Sequence, residues 1–145
     1  MGEKRRATRE NLGFQLAKAS QRWNELLYEA FVGEGFGDVR PAYGSVLLPL
    51  FEEDGLRMGE LASRARLSKQ TMTTLVRLME RNGLVRRERD REDRRAYRVL
   101  LTPRSRSFQP VAERVLARLD ERVASLLSPA DRTILTQSLK EVMSL

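Results

Sequence analysis

Ser68, Lys69, Gln70, Thr71, Thr73, Thr74 and Arg77 fall within ten residues that contain no acid. Each of these side chains can hydrogen-bond, and Met72, Leu75 and Val76 interleave with them at helical spacing. A helix here would bury one face and offer the other. At the leading end of a helix, such side chains match the edges of base pairs: Gln suits adenine, Lys or Arg suits guanine, and a Thr methyl can meet the thymine methyl. Taken alone, an ordinary amphipathic helix with a solvated polar face accounts for the pattern. Its Ser and Thr content is unfavourable for helix propensity, which argues for a further use.

A second group follows at once. Residues 86–95 read RRERDREDRR, six arginines and four acids, with no lysine. Charge runs are usually solvated surface. The exclusive choice of Arg, among them Arg86, Arg89, Arg91, Arg94 and Arg95, is less ordinary, because the flat guanidinium fork suits phosphate and a narrow minor groove. The interleaved acids would hold arginines in extended poses by local pairing. Each exposed pair contributes at most ~1 kcal/mol, so pairing arranges the segment more than it stabilises it.

Charge distribution joins the two groups. Residues 57–107 hold 15 of the 27 Lys+Arg and 6 of the 20 Asp+Glu, net +9 in a chain whose total is +7. Concentrated positive charge is the footprint of a surface that meets nucleic-acid phosphate.

The elements that must position these residues can be read in order. Asn11 to Gly33 carries an apolar stripe from Leu12 to Phe31 and reads as one long helix, closed by a glycine-rich loop. Pro41 suits the start of a second helix to Glu53, with Pro49 expected to kink or shorten it. A short helix runs from Arg57 or Met58 to Ala65. Ser68 caps a helix from Lys69 to Asn82, which Gly83 ends. Leu84–Glu88 and Tyr97–Leu101 read as two strands around a charged tip, Arg89 to Ala96. Thr102-Pro103 opens a helix to about Leu127, and Ser128-Pro129 opens the last. A polar helix followed directly by a basic hairpin is a winged helix-turn-helix. The expected fold is mainly α with a small β-hairpin wing. It is one domain over 1–145, with a DNA-binding lobe at about 40–106 between long helices at about 10–34 and 107–145.

Gly59 to Arg106 also resembles the DNA-binding core of the MarR family of bacterial transcription regulators. The similarity rests on the Leu-Ser-Lys-Gln-Thr helix entry at Leu67–Thr71, on the link from Leu78 to Arg87, and on Asp90 to Arg95 followed by Leu101-Thr102. The flanking helices and the Ser128-to-Asp131 helix start extend it over nearly the whole chain. The resemblance implies a regulator, expected to be a ligand-responsive repressor, that acts as a homodimer on a palindromic operator. It implies that Arg94 or a neighbouring wing arginine enters the minor groove, with Asp93 bracing the wing. Ser105 stands where many members have glycine. The family's cysteine-based peroxide sensors are not a model for a chain without cysteine.

Two further expectations concern the long helices. Phe14, Val111, Val115, Leu116, Ile134, Leu135, Leu139 and Val142 are candidates for a dimer interface, against the alternative that they pack within one chain. Trp23, Leu27, Phe31, Arg40, Tyr43 and Leu47 are candidates to line a pocket for a small aromatic or anionic effector, against the alternative of a filled aromatic core.

Absences narrow the rest. With no His and no Cys, a neutral-pH general base, a thiolate metal site and a disulfide framework all lose their usual components. No metal, cofactor or enzymatic activity is expected. No apolar run approaches the ~20 residues needed to span a bilayer, so the protein is expected to be cytoplasmic with no membrane partner. The basic start, MGEKRRATRE, is expected to be a short arm or solvated tail. The competing function is a winged-helix module that docks an acidic protein through the same basic face.

Overall fold

Asn11 begins the first helix by chemistry that the sequence announces: its side-chain oxygen accepts the Phe14 N–H at 3.2 Å. The computed structural model describes residues 11–145, so the amino-terminal arm lies outside the described residues. Helix α1 spans Leu12–Gly33. It closes where Gly35 takes a left-handed conformation (φ +85°) and the Phe36 N–H returns to the Phe31 carbonyl at 2.8 Å.

A 3-10 turn at Pro41–Tyr43 leads into α2, Gly44–Glu52. Pro49 neither breaks nor shortens α2. In so short a helix its missing N–H forfeits only the bond to the Ser45 carbonyl, in the first turn. Strand β1 (Leu56–Arg57), α3 (Met58–Ala65) and α4 (Lys69–Arg81) follow. Then come β2 (Val85–Arg89), β3 (Tyr97–Leu101), α5 (Pro103–Ala124) and α6 (Pro129–Met143).

Strand β1 was not expected. Two residues are too few to show a period, yet they complete an antiparallel sheet of order β1-β3-β2. The register pairs Val85 with Leu101, Arg87 with Val99 and Arg89 with Tyr97, and Leu56 also pairs with Val99. Directly paired residues share a face. Leu56, Val85, Val99 and Leu101 therefore close the inner face over the helices, and all four are buried.

The core gathers Val46, Leu47 and Leu50 of α2, Leu61 of α3, Met72, Val76 and Met79 of α4, and Leu84. The same core extends between α1 and α5, where the Phe108 ring lies 5.0 Å edge-on to Phe31 and 5.1 Å from Phe36. Val111 and Val115 are buried in this core rather than offered to a partner, and Leu116 is half-buried. Phe14, Ile134, Leu135, Leu139 and Val142 are exposed. Helix α6 buries no residue at all.

Candidate nucleic-acid interface

Ser68 sets where α4 begins. Its hydroxyl oxygen accepts the Thr71 N–H at 3.0 Å, and its O–H donates to Thr71 Oγ1 at 2.8 Å. The turn before it is tight: Arg66, a non-glycine residue, sits at φ 57°, ψ 38° to end α3. The two helices so joined form the helix-turn-helix.

Lys69, Gln70, Thr71, Thr74 and Arg77 are exposed on α4, and Thr73 is half-buried. The Thr73 and Thr74 hydroxyls donate to the Lys69 and Gln70 carbonyls at 2.8 and 3.1 Å. Their protons are spent inside the helix. What these two residues offer outward is methyl surface and an acceptor oxygen.

The wing stands beside this helix. Arg87 of β2 reaches back to Glu80 of α4 by two bonds, Nε to Oε2 at 3.1 Å and Nη2 to Oε1 at 3.2 Å. Arg87 and Arg89 also lie over the Tyr97 ring, 5.3 and 5.8 Å from its centroid. Between α4 and the wing runs an open cleft of about 640 Å³, whose walls include Lys69, Thr73, Arg77, Arg87, Arg95 and Tyr97. The α4 face and the wing thus border one basic groove.

The acids sort the wing arginines. Arg86 pairs with Glu88, and Arg95 Nε lies 3.4 Å from Asp93 while its side chain stays 94% exposed. Arg91 and Arg94 make no ion pair among the described residues and stand exposed at the tip, as do Lys69 and Arg77 on α4. Asp93 shapes the tip: its carboxylate accepts the Arg95 N–H at 3.0 Å, and its carbonyl accepts the Ala96 N–H at 2.9 Å. The Asp90 N–H closes the strand ends onto the Ala96 carbonyl at 2.9 Å.

Two carboxyls here titrate below their ordinary range. For Glu88 the cause is the hydrogen bond from Arg86 and that residue's charge, with Arg91 adding a little. For Asp90 it is the backbone N–H of Glu92, at 2.9 Å, opposed by burial and aided by Arg57 and Arg98. Sequence reasoning passed over Asp90, Arg57, Arg98, Arg87 and Tyr97. In a run of alternating charge nothing marks which acid is buried, and β1, which carries Arg57, gave no signal.

A separate cavity of about 210 Å³ opens between α1, α2 and α5. Trp23, Leu27, Phe31, Arg40 and Leu47 line it with Phe51 and Leu116. Tyr43 does not. It is buried, and its hydroxyl accepts the Asn82 amide at 3.0 Å, fastening the end of α4. No helix among the described residues is long and apolar enough to cross a membrane, and no group of three potential metal ligands occurs among them.

Comparison with known proteins agrees with this geometry. Residues 41–97 match the family model described as MarR family. The HTH-type transcriptional regulator TtmR of Methylorubrum extorquens (strain PA1) is 44% identical over 64 residues, which cover 44% of this chain but only 33% of that protein. The transcriptional regulator HosA of Escherichia coli O157:H7 is 28% identical over 105 residues, covering 72% of this chain and 77% of the relative. Among solved structures, the transcriptional repressor CouR bound to a 23-mer DNA duplex superposes with a TM-score of 0.80 at 27% identity, over 94% of this chain and 95% of that one.

Proposed function

We propose that this MarR-family chain is a regulator, not an enzyme, that binds a palindromic duplex DNA site as a homodimer and releases or tightens its grip when a small effector binds. The observation that carries the reading is the shared basic groove, with the acid-free face of α4 on one side and the wing on the other. A helix presented in this way suits the major groove, and an arginine-tipped hairpin beside it suits the adjacent backbone and minor groove. CouR, similar over almost the whole chain, is described in complex with DNA.

The dimer is supported by α6. Ile134 is 63% exposed and Met143 55% on a helix with no buried residue, so its apolar side needs a cover. A second copy supplies one, and two-fold symmetry would set two α4 helices about one helical turn of DNA apart, ~34 Å. The effector reading rests on the cavity at the junction of α1, α2 and α5, where apolar walls meet the Arg40 guanidinium. An aromatic carboxylate matches that mixture. Such a ligand changes DNA affinity only by preferring one spacing of the two lobes over another.

Enrichment of bound duplexes from a random pool tests the reading. A two-fold symmetric sequence bound with steep salt dependence supports it. Binding of an acidic protein with no preference among duplexes would support the docking module instead.

A further inference from the structure

Arg57 and Arg98 stand directly opposite each other in the β1–β3 ladder. Like charges in that position repel. Here they share one counterion. Asp90 Oδ2 lies 2.5 Å from Arg57 Nε and 3.3 Å from Arg98 Nη2. The Asp90 side chain is only 2% exposed, in the most highly charged stretch of the molecule. Its other oxygen accepts the Glu92 N–H at 2.9 Å, at the turn into the wing tip. Arg98 meanwhile donates from Nη1 to the Gly55 carbonyl at 2.9 Å, just before β1. Arg57 is the residue from which α3 starts. One buried carboxylate thus ties the wing tip to the first helix of the helix-turn-helix.

We infer that Asp90 is a positioning residue for DNA binding: by holding Arg57 and Arg98 together it fixes the wing at the height from which its tip arginines reach the minor groove. The inference rests on the DNA-binding reading above. It also gives Arg57, which lines the basic groove, and Arg98 a role in holding the wing. A wing without this anchor keeps its strand pairing, its inner-face packing and the Arg87–Glu80 pair, but loses the charged tie between its tip and the start of α3.

The test uses the full chain and a duplex selected from a random pool. The unsubstituted protein must first prefer that duplex; if it selects none, the DNA-binding reading falls, and this inference with it, before any variant is made. Asp90→Asn keeps the shape and the acceptor for Glu92 but removes the charge. Guanine methylation in the major groove should stay protected, while hydroxyl-radical protection of the minor groove at the flanks is lost. Preference for the selected site over random duplex should fall about tenfold. Asp90→Glu, which restores the charge, should recover part of the minor-groove footprint. Arg98→Gln should reproduce the loss of wing contact if Asp90→Asn does not fold. Intact minor-groove protection and unchanged preference in Asp90→Asn, or in Arg98→Gln where that variant stands in, overturn the inference. Equal loss of both protections also overturns it, because Asp90 would then serve the fold as a whole.

Discussion

Glu80 and Arg87 join α4 to the wing by two parallel hydrogen bonds, across the reversal at Asn82-Gly83. Gly83 makes that reversal with φ +71°, and the Leu84 N–H returns to the Met79 carbonyl at 3.0 Å. Both side chains are half-buried, and the two-point geometry is the favourable case for an ion pair. A double-mutant cycle of Glu80→Ala and Arg87→Ala, read by urea denaturation, should give a coupling of about 0.5–1 kcal/mol. A coupling indistinguishable from zero would mean that the pair places the wing without stabilising it.

Arg66 ends α3 in the left-handed region, where a side chain carries a steric cost that glycine does not. Arg66→Gly should therefore stabilise the fold by roughly 0.5–1 kcal/mol, after the greater chain entropy of glycine is set against the relief. Arg66→Ala should give no such gain. Denaturation midpoints of the two variants decide between them.

Acid should weaken the fold. Asp90 and Glu88 have folded-state pKa values below their ordinary ones. A depressed carboxyl contributes stability that is fully present above its unfolded pKa and is lost as pH falls through the folded one. The loss should therefore begin near pH 4 and deepen below it. With no histidine and no cysteine, no side chain of the usual kind titrates between about pH 5 and 8. Urea midpoints should be level across that range. A step near pH 6 would contradict the assignment.

Arg91 and Arg94 stand exposed at the wing tip and make no ion pair among the described residues. Arg94→Ala should weaken binding to the selected duplex by about 1–3 kcal/mol if it makes the groove contact. Unchanged affinity in gel-shift titrations of both Arg91→Ala and Arg94→Ala would remove the wing from the interface.

The sequence carried some parts of this structure openly and hid others. Ser68, Thr102 and Ser128 marked helix starts because a cap is local chemistry, and each accepts a backbone N–H as expected. Helix α4 was legible because its apolar period is strong and a glycine ends it. Strand β1 was not, since pairing with β3 is a long-range contact that two residues do not announce. Tyr43 shared a helical stripe with Leu47, but periodicity gives a face and not a depth; Tyr43 turned to Asn82 while Leu47 lined the cavity. Val111 and Val115 looked available to a partner for the same reason, yet both are buried within the chain, on a helix that packs against α1. The wing acids were legible as a group. Which of them would be buried between two facing arginines depends on a register no local pattern contains.

The proposed function depends on two copies of this groove gripping one duplex. Selection from a random pool, followed by sedimentation of the complex on the winning sequence, tests that directly. The account predicts a two-fold symmetric site occupied by two chains, with half-site centres about 34 Å apart. No enrichment, or a single chain on an asymmetric site, would contradict it.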